Sequence, residues 1–250
     1  MNKDRVFLSL GLLLVAFHVP AFHSQAAPPP SPATAHNANF VVSAPSRELA
    51  EEVLAQADAL RDALAVQWLG QKLPPGIGSA VIRVQLSDTE DRGLTWPAER
   101  AERLTHMMWL TTSRQRALGS TLAHEMTHVV LATRYPGQIP AWCNEGIASL
   151  VDDEDRCAAR RQILAWFAET GNWPALVRVL DTDKIAPTDP AQYAVSASLT
   201  QYLLTLGDGA RLLEFARSGK RLGWDSALRK HYDITNARVL QAQWQAWAKN

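Results

Sequence analysis

The chain lacks the charge pattern of a protein that binds nucleic acids or membrane surfaces. Its 25 Lys and Arg residues are balanced by 25 Asp and Glu residues, so the formal net charge is zero. The sequence contains no block of Lys or Arg that would attract phosphate groups. We therefore expect no nucleic acid partner and no electrostatic attachment to a membrane surface.

Cysteine is scarce: the 250-residue chain contains two, Cys143 and Cys157. On one straight helix they would lie roughly 21 Å apart, which is too far for a disulfide bond. A turn at the acidic stretch DDED, residues 152–155, would fold the chain back and allow one. The sequence leaves this pairing open. No cysteine lies near the end of the N-terminal apolar run, which argues against a lipoprotein.

A secretory signal is the best interpretation of the N-terminus. Lys3 and Arg5 precede the apolar run VFLSLGLLLVAF, and the small residues of SQA follow at residues 24–26. The run is short for a bilayer span. We predict a signal peptide at residues 1–26 and a periplasmic or secreted mature chain, with an uncleaved membrane anchor as the alternative. After cleavage we expect no stable membrane association, and the compartment is oxidising.

The rest of the chain is long enough to bury a core and divides into three stretches. Residues 27–39 are a Pro- and Ala-rich linker, extended or disordered. Residues 40–155 combine the predicted strands FVVS, AVIRVQLS and HMMWLTT with helices, and HMMWLTT is expected at an edge. Residues 156–250 give almost only helical patterns. We predict an α+β fold, with a small mixed α/β lobe followed by an α-helical lobe.

The stretch STLAHEMTHVV carries the strongest chemical signal. His124 and His128 are four residues apart, so a helix places both imidazoles on one face, where they can grip one zinc ion. Glu125 is rotated by about 100° and can face the open side of the metal. There it can take a proton from an attacking water. The alternative is a pair of polar histidines on an amphipathic helix that happen to have this spacing.

A catalytic zinc needs a third protein ligand and an open fourth position. Glu145, in WCNEGIASL, is the best candidate because it follows His128 by 17 residues and lies near the start of the next helix. The intervening loop lets that helix fold back against the first. Gly146 would permit a close backbone approach there. We therefore expect a site with His124, His128 and Glu145 as metal ligands.

These motifs resemble the gluzincin metallopeptidases, and more narrowly the bacterial thermolysin-like peptidase MA-like domains. The similar segments are LAHEMTH, PAWCNEGIA, YAVSASLTQYLL and ALRKHYDITNARVLQAQWQAW, in order over roughly residues 40–250. The resemblance implies His124, His128 and Glu145 as ligands of one zinc per chain, with Glu125 as general base and acid. It also implies a zincin-type helix, a cleft between an upper and a helical lower lobe, and a peptide or protein substrate.

The chain departs from this family at the residue that orients a ligand histidine. Such enzymes often carry an acid one turn after the ligand Glu, but Ser149 stands there, and Asp152 or Asp153 must substitute. The tetrahedral oxyanion also needs a hydrogen-bond donor. The resemblance favours Tyr193, with His231 as the second choice. Helix packing is the other role open to Tyr193.

The function these features favour is an exported zinc metallopeptidase. The alternative is a zinc-stabilised binding domain of the cell envelope that is catalytically weak or inactive, and a third interpretation directs the hydrolase to peptidoglycan peptides or to one dedicated protein. We expect His106 on the surface or in the cleft, Trp109 in the core, and DDED in a solvated turn. The sequence leaves cleavage specificity and the oligomeric state open.

Overall fold

The computed structural model describes residues 32–100 and 103–249. The predicted signal peptide, residues 1–26, lies outside these ranges, as does the first part of the predicted linker. No helix within the described ranges is both long enough and apolar enough to span a bilayer. The described residues belong to one compact unit that runs from residue 31 onward. The predicted lobe boundary between residues 155 and 156 stays a prediction.

Five strands form one mixed sheet. They are β1 (Ala33–His36), β2 (Phe40–Ala44), β3 (Ser79–Leu86), β4 (Arg92–Arg100) and β5 (Arg103–Thr112). Their order across the sheet is β1-β2-β3-β5-β4. The three inner strands run parallel to one another, whereas the two edge strands run antiparallel to their neighbours.

Ten α-helices and one short 3-10 helix, Ser149–Val151, complete the described ranges. The α-helices are α1 (Arg47–Leu69), α2 (Arg114–Ala117), α3 (Ser120–Arg134), α4 (Ala141–Ala148), α5 (Glu154–Thr170), α6 (Leu176–Leu180), α7 (Pro190–Thr205), α8 (Gly209–Leu222), α9 (Trp224–Tyr232) and α10 (Ala237–Ala248). The sheet lies in the first half of the chain and helices fill the second, so the predicted α+β class is confirmed.

One face of the sheet is covered by α1 and α3, which also pack against each other. Along β2, Phe40 and Val42 are buried while Val41 is exposed. The alternation arises because successive side chains of a strand point to opposite faces. The predicted helix after the first strand is confirmed as α1, which ends at Gly70 in the left-handed conformation.

The predicted linker spans residues 27–39, but Ala33–His36 within it form strand β1 rather than an unpaired segment. Ala33 and Ala44 face each other in the antiparallel pairing of β1 with β2, and Ala35 is buried. A Pro- and Ala-rich composition favours an extended chain, but composition does not reveal that such a chain has a pairing partner. Here the partner is β2, and β1 completes one edge of the sheet.

The stretch HMMWLTT is not an edge strand, so that prediction is wrong. It forms β5, which lies between β3 and β4, and β4 is the edge. Residues Gly93 and Pro97 weaken the strand pattern of β4, which is why the sequence does not reveal it. Trp109 of β5 is 36% exposed rather than in the core, because it stands beside Leu94 on the outer face of the sheet.

The helices α4 and α7 approach each other closely at Gly146. A Cβ at this position would overlap the side chain of Thr200 and the backbone carbonyl of Ser196. Glycine therefore permits the approach that the sequence predicts. Because α4 also contacts α3, this packing carries Glu145 to the helix that bears the two histidines.

Both cysteines are free. Cys143 is buried on α4, and Cys157 is half-buried on α5. The chain does turn back between these two helices, yet the Sγ of Cys157 contacts the backbone carbonyl of Asp152 at 3.7 Å instead of a second sulfur. The disulfide that the sequence left open is not formed.

Candidate metal centre

His124 and His128 lie one turn apart on α3 and are both largely buried, with 11% and 13% of their side chains exposed. Their ring centroids are 5.0 Å apart and the rings are nearly perpendicular. This arrangement follows from the helix itself, because residues four apart are neighbours on one face. The structure therefore brings the two predicted ligands together.

Glu145 closes the third side of the site from α4. Its Oε2 is 3.5 Å from Nε2 of His124, and its Oε1 is 3.7 Å from Nε2 of His128. Two ligand atoms at 2.0–2.1 Å from one tetrahedral ion are separated by about 3.3 Å. The observed separations are close to that value, so the three side chains fit around a single zinc ion.

The carboxylates of the site also have buried oxygens that lack an ordinary partner. Oε2 of Glu145 and Oε2 of Glu125 are shielded from solvent and have no hydrogen bond among the described residues. A buried carboxylate without a compensating partner is costly. A cation held between the side chains, with a water beside it, would satisfy both oxygens, which supports the fit of a metal.

Glu125 lies beside the two histidines, but its side chain packs against the edge strand β4. Potential ligand atoms of His124, Glu125 and His128 all lie within 4.8 Å of one another. The carboxylate of Glu125 packs so tightly against Gly93 that a Cβ there would overlap it. Thr95 of the same strand donates a hydrogen bond of 3.3 Å to the backbone carbonyl of Glu125. The acid is thus clamped between α3 and β4.

The cluster of His124, Glu125 and His128 contains Glu125 as its acid. The carboxylate that comes closest to Nε2 of each histidine, however, belongs to Glu145. Glu145 is the better candidate for a third ligand, because its two oxygens reach one histidine each from the facing helix. Glu125 shares the helix of the histidines and is turned toward β4. It is therefore better placed to contact a water or a substrate atom than to complete the ligand set.

Asp152 supplies the carboxylate that orients His124. Its Oδ1 lies 3.1 Å from Nδ1 of the histidine, and the side chain of Asp152 is fully buried. A carboxylate can only accept a hydrogen bond, so Nδ1 carries the proton and donates it. Nε2 then faces Glu145 and is the nitrogen available to a metal. A partner of this kind fixes the ring orientation and raises ligand basicity.

The acidic stretch DDED is therefore solvated only in part: the side chains of Glu154 and Asp155 are 79% and 87% exposed, whereas that of Asp152 is buried. Besides the buried Asp152, Asp153 begins α5 by accepting a hydrogen bond from the backbone N–H of Arg156 at 3.1 Å. Of the two acids considered as substitutes, Asp152 takes the role. Ser149 is buried, and its Oγ has no hydrogen-bond partner among the described residues.

The acidic neighbours of His124 make the site electrostatically favourable for a positive charge. Burial alone would lower the pKa of His124, but its bonds to Asp152 and Glu145 outweigh burial and raise the pKa to about 10. Burial likewise opposes the charge of Asp152, yet the hydrogen bond with His124 and the nearby arginines hold its pKa well below the usual range. The acidic groups around His124 therefore favour its protonated form.

Tyr193 is half-buried near the start of α7 and lies within electrostatic range of the site. Burial, and then the charges of Glu145 and Glu125, raise the pKa of its hydroxyl well above the usual value. His231, the other candidate donor, bonds instead to Oγ of Ser218 at 2.9 Å. The groups that shift the pKa of His231 are outside the metal site. Of the two, only Tyr193 has a pKa that is shifted by the acids of the site.

His106 is neither a surface nor a cleft residue, so both expectations are wrong. It is fully buried on β5, where Nε2 lies 3.2 Å from Oγ1 of Thr133 on α3. The Thr133 hydroxyl already donates to the carbonyl of Val129 at 2.7 Å, so Nε2 of His106 must be the donor. Burial lowers the pKa of His106 to about 4.

The sequence did not reveal the polar network behind Asp152. Arg156 and Arg160 of α5 both bind its carboxylate, and Arg156 also binds Asp91, the residue before β4. These residues are far apart along the chain and form no recognisable spacing. Their one local signal is that Arg156 follows Asp152 by four residues, as a helical ion pair does.

Comparison with known proteins gives no match to a protein-family model and no match to a curated protein.

Proposed function

We propose that this protein is an exported zinc metallopeptidase that hydrolyses peptide bonds in peptides or proteins. The observation that carries the proposal is the position of the Glu145 carboxylate, 3.5 and 3.7 Å from the Nε2 atoms of the two motif histidines. A chance His pair would not need an acid on a second helix to face both of its nitrogens. The signal segment predicted from the sequence at residues 1–26, which the described residues do not include, is the basis for proposing export.

In this proposal His124, His128 and Glu145 hold one zinc ion. When bound, the zinc would lower the pKa of a water molecule and polarise a substrate carbonyl. The free Oε2 of Glu125 is the group that would accept a proton from the attacking water. The same carboxylate would pass that proton to the leaving amine nitrogen.

Tyr193 is the proposed donor to the oxyanion that develops on the carbonyl. A donor must keep its proton at the pH of the reaction, and the raised pKa of this hydroxyl meets that requirement. Donors placed where negative charge develops contribute strongly to catalysis in a dry site. Tyr193 is well suited because burial excludes water around it without enclosing it completely.

The substrate is proposed to be a polypeptide because the acid of the site lies beside an open strand edge. β4 forms the edge of the sheet among the described strands, and Gly93 of that strand packs against Glu125. An extended peptide can add to such an edge through main-chain hydrogen bonds. A scissile bond in that peptide would then pass next to Glu125.

The alternative, a catalytically weak or inactive zinc-stabilised binding domain, rests on two grounds: the missing acid after Glu145 and the unproven oxyanion donor. Asp152 makes the hydrogen bond to His124 that Ser149 does not make, which answers the first ground, and the Tyr193→Phe variant tests the second. One feature still favours a weaker site: Nδ1 of His128 is buried and has no partner among the described residues. The two functions predict different behaviour for the same variant.

The deciding test is metal content and peptide cleavage for the wild type and for Glu125→Gln. A peptidase should bind one zinc per chain in both proteins, cleave a random peptide library as wild type, and lose cleavage in the variant. An inactive binding domain should bind zinc equally in both proteins and cleave in neither. Wild-type protein with no zinc and no affinity for it would overturn both functions. His128→Ala, which removes a ligand, is the control for zinc binding.

A further inference from the structure

Arg156 of α5 binds two carboxylates from distant parts of the chain. Its Nη1 donates to Oδ1 of Asp152 at 2.9 Å, and its Nε and Nη2 donate to Oδ2 of Asp91 at 3.1 and 2.8 Å. The guanidinium is 22% exposed, Asp91 is 21% exposed and Asp152 is fully buried. Charge-assisted bonds in such a partly dry setting are short and directional.

We call these two sets of contacts the arms of the Arg156 bridge, one through Asp152 and the other through Asp91. The Asp152 arm leads to the candidate metal site. The Oδ1 atom of Asp152 that accepts from Arg156 also accepts from Nδ1 of His124, at 3.1 Å. The position of that single oxygen therefore depends on both donors. If Arg156 moves, the carboxylate that orients the His124 ring moves with it, and the direction of Nε2 changes.

The other arm leads to the strand edge beside Glu125. Asp91 immediately precedes β4, and its Oδ1 accepts from Thr112 at 2.6 Å and from Thr121 at 2.9 Å. These contacts tie the start of the strand to the end of β5 and to the first turn of α3. Two residues after Asp91, Gly93 lies against the carboxylate of Glu125.

We infer that Arg156 is a positioning residue that aligns the metal ligand His124 and the edge strand β4 together, so that metal binding and peptide binding depend on one side chain. The inference rests on the proposed function. Arginine suits this task because its planar group presents several donors in fixed directions, whereas lysine presents one ammonium. A lysine presents its donors from a single atom, so it cannot reproduce the three bonds that Arg156 makes to the two carboxylates from separate nitrogens.

Two neighbouring arginines provide matched controls, because each contacts one arm only. Arg160 binds Asp152 and the carbonyl of Ser149 but does not contact Asp91. Arg116 binds Asp91 at 3.2 Å, together with acids of the DDED stretch other than Asp152. The three variants Arg156→Gln, Arg160→Gln and Arg116→Gln therefore separate the two arms.

The first measurement is zinc affinity, by competition with a chromophoric chelator. We expect Arg156→Gln and Arg160→Gln to bind zinc about 10- to 100-fold more weakly than wild type. Arg116→Gln should bind it with wild-type affinity. The second measurement is peptide hydrolysis at saturating zinc, where the metal defect is removed. There Arg156→Gln and Arg116→Gln should still have a raised KM, and Arg160→Gln should recover the wild-type value.

The third measurement requires neither zinc nor activity. In the metal-free proteins, amide hydrogen exchange at residues 92–95 should be faster in Arg156→Gln and Arg116→Gln than in wild type, and unchanged in Arg160→Gln. Arg156→Lys, the variant that best preserves folding, should show one of the two defects at most. Circular dichroism and thermal melting confirm that each variant is folded.

The outcomes distinguish this inference from the proposed function. A wild type that binds zinc and cleaves peptides, with a folded Arg156→Gln that has normal zinc affinity and normal KM, overturns the inference alone. So does full recovery of Arg156→Gln at saturating zinc with unchanged exchange in β4. A wild type that fails to cleave any peptide overturns the proposed function, while the exchange and zinc measurements still test the bridge.

Discussion

Oδ1 of Asp152 lies 3.1 Å from Nδ1 of His124, and the aspartate side chain is fully buried. The contact determines which nitrogen of the imidazole carries a proton and leaves Nε2 directed at Glu145, 3.5 Å away. The geometry of the candidate metal centre therefore depends on a residue seven positions beyond the third ligand. Removing that residue tests the site without touching a ligand.

We predict that Asp152→Ala weakens zinc binding by about 10- to 100-fold, because His124 loses its orienting acceptor. The same change removes the carboxylate that Arg160 binds and one of the two that Arg156 binds, so the melting temperature should also fall. Zinc titration against a competing chelator measures the first effect. Asp155→Ala is the control, since its side chain is 87% exposed and, within the described part of the chain, its one ion pair is with Arg116. Equal zinc affinity in the two variants would contradict the orienting role.

Gly93→Ala should abolish most peptide cleavage while leaving zinc affinity close to wild type. The added methyl group would overlap the carboxylate of Glu125 and force it or β4 to move. A displacement of about 1 Å in a catalytic group can cost roughly 100-fold in rate. Leu94→Ala is the control on the same strand, because that side chain is 53% exposed on the outer face of the sheet. Comparable kcat values for wild type and Gly93→Ala would show that this contact is unimportant.

Tyr193→Phe should lower kcat by about 100-fold or more and change zinc affinity little. The substitution removes the hydroxyl that is proposed to stabilise the oxyanion, and loss of one such donor has this magnitude. Steady-state kinetics with a cleavable peptide provide the measurement. Tyr202→Phe, on the same helix but buried rather than half-buried, should retain activity. If both tyrosine variants behave alike, Tyr193 has only a packing role.

The approach of Glu145 to His124 and His128 could be predicted from the sequence because helix geometry converts spacing into position. His124 and His128 share a face at any four-residue spacing, and Gly146 indicates where a second helix can approach. The partners of Asp152 could not be predicted in this way. Asp91 and Arg156 meet only after the sheet and α5 have packed, and no periodic pattern encodes that contact.

The fold class followed from element patterns, but strand order did not. Local alternation identifies β3 and β5 as strands, yet it does not specify their neighbours. For this reason the sequence pattern predicts HMMWLTT as the edge strand. The true edge strand, β4, contains Gly93 and Pro97 and has no clear strand pattern. The error extends to Trp109, whose exposure depends on whether anything covers the outer face of the sheet.

The tryptophans provide a direct test of that correction. Trp142 is fully buried and packs against Phe215 and Trp224, with ring centroids 6.1 Å apart in each pair. We predict that Trp142→Ala destabilises the protein by about 3–5 kcal/mol. Trp109→Ala should cost about 1 kcal/mol or less, as expected for a surface substitution. Urea unfolding compares them, and a larger loss for Trp109→Ala would place its ring in the core.

The buried His106 should make stability depend on pH in a predictable direction. Its pKa is lowered from 6.5 to about 4 by burial, so the unfolded chain takes up a proton at this residue before the folded protein does. Above pH 6.5 both states are neutral there and no penalty arises. As the pH falls from 6.5 to about 4, the folded state should lose up to roughly 3 kcal/mol from this residue, and the loss should level off below that.

The matched variant for this effect is His106→Gln, whose amide can still donate to Thr133 but does not titrate. Its free energy of unfolding, measured by urea denaturation from pH 7.5 to 4, should fall less steeply than that of wild type. The difference between the two proteins isolates His106, because all other titrating groups are shared. Parallel curves over the whole range would mean that the folded protein protonates His106 as readily as the unfolded chain does. Buried Nδ1, which has no partner among the described residues, would then have to acquire one.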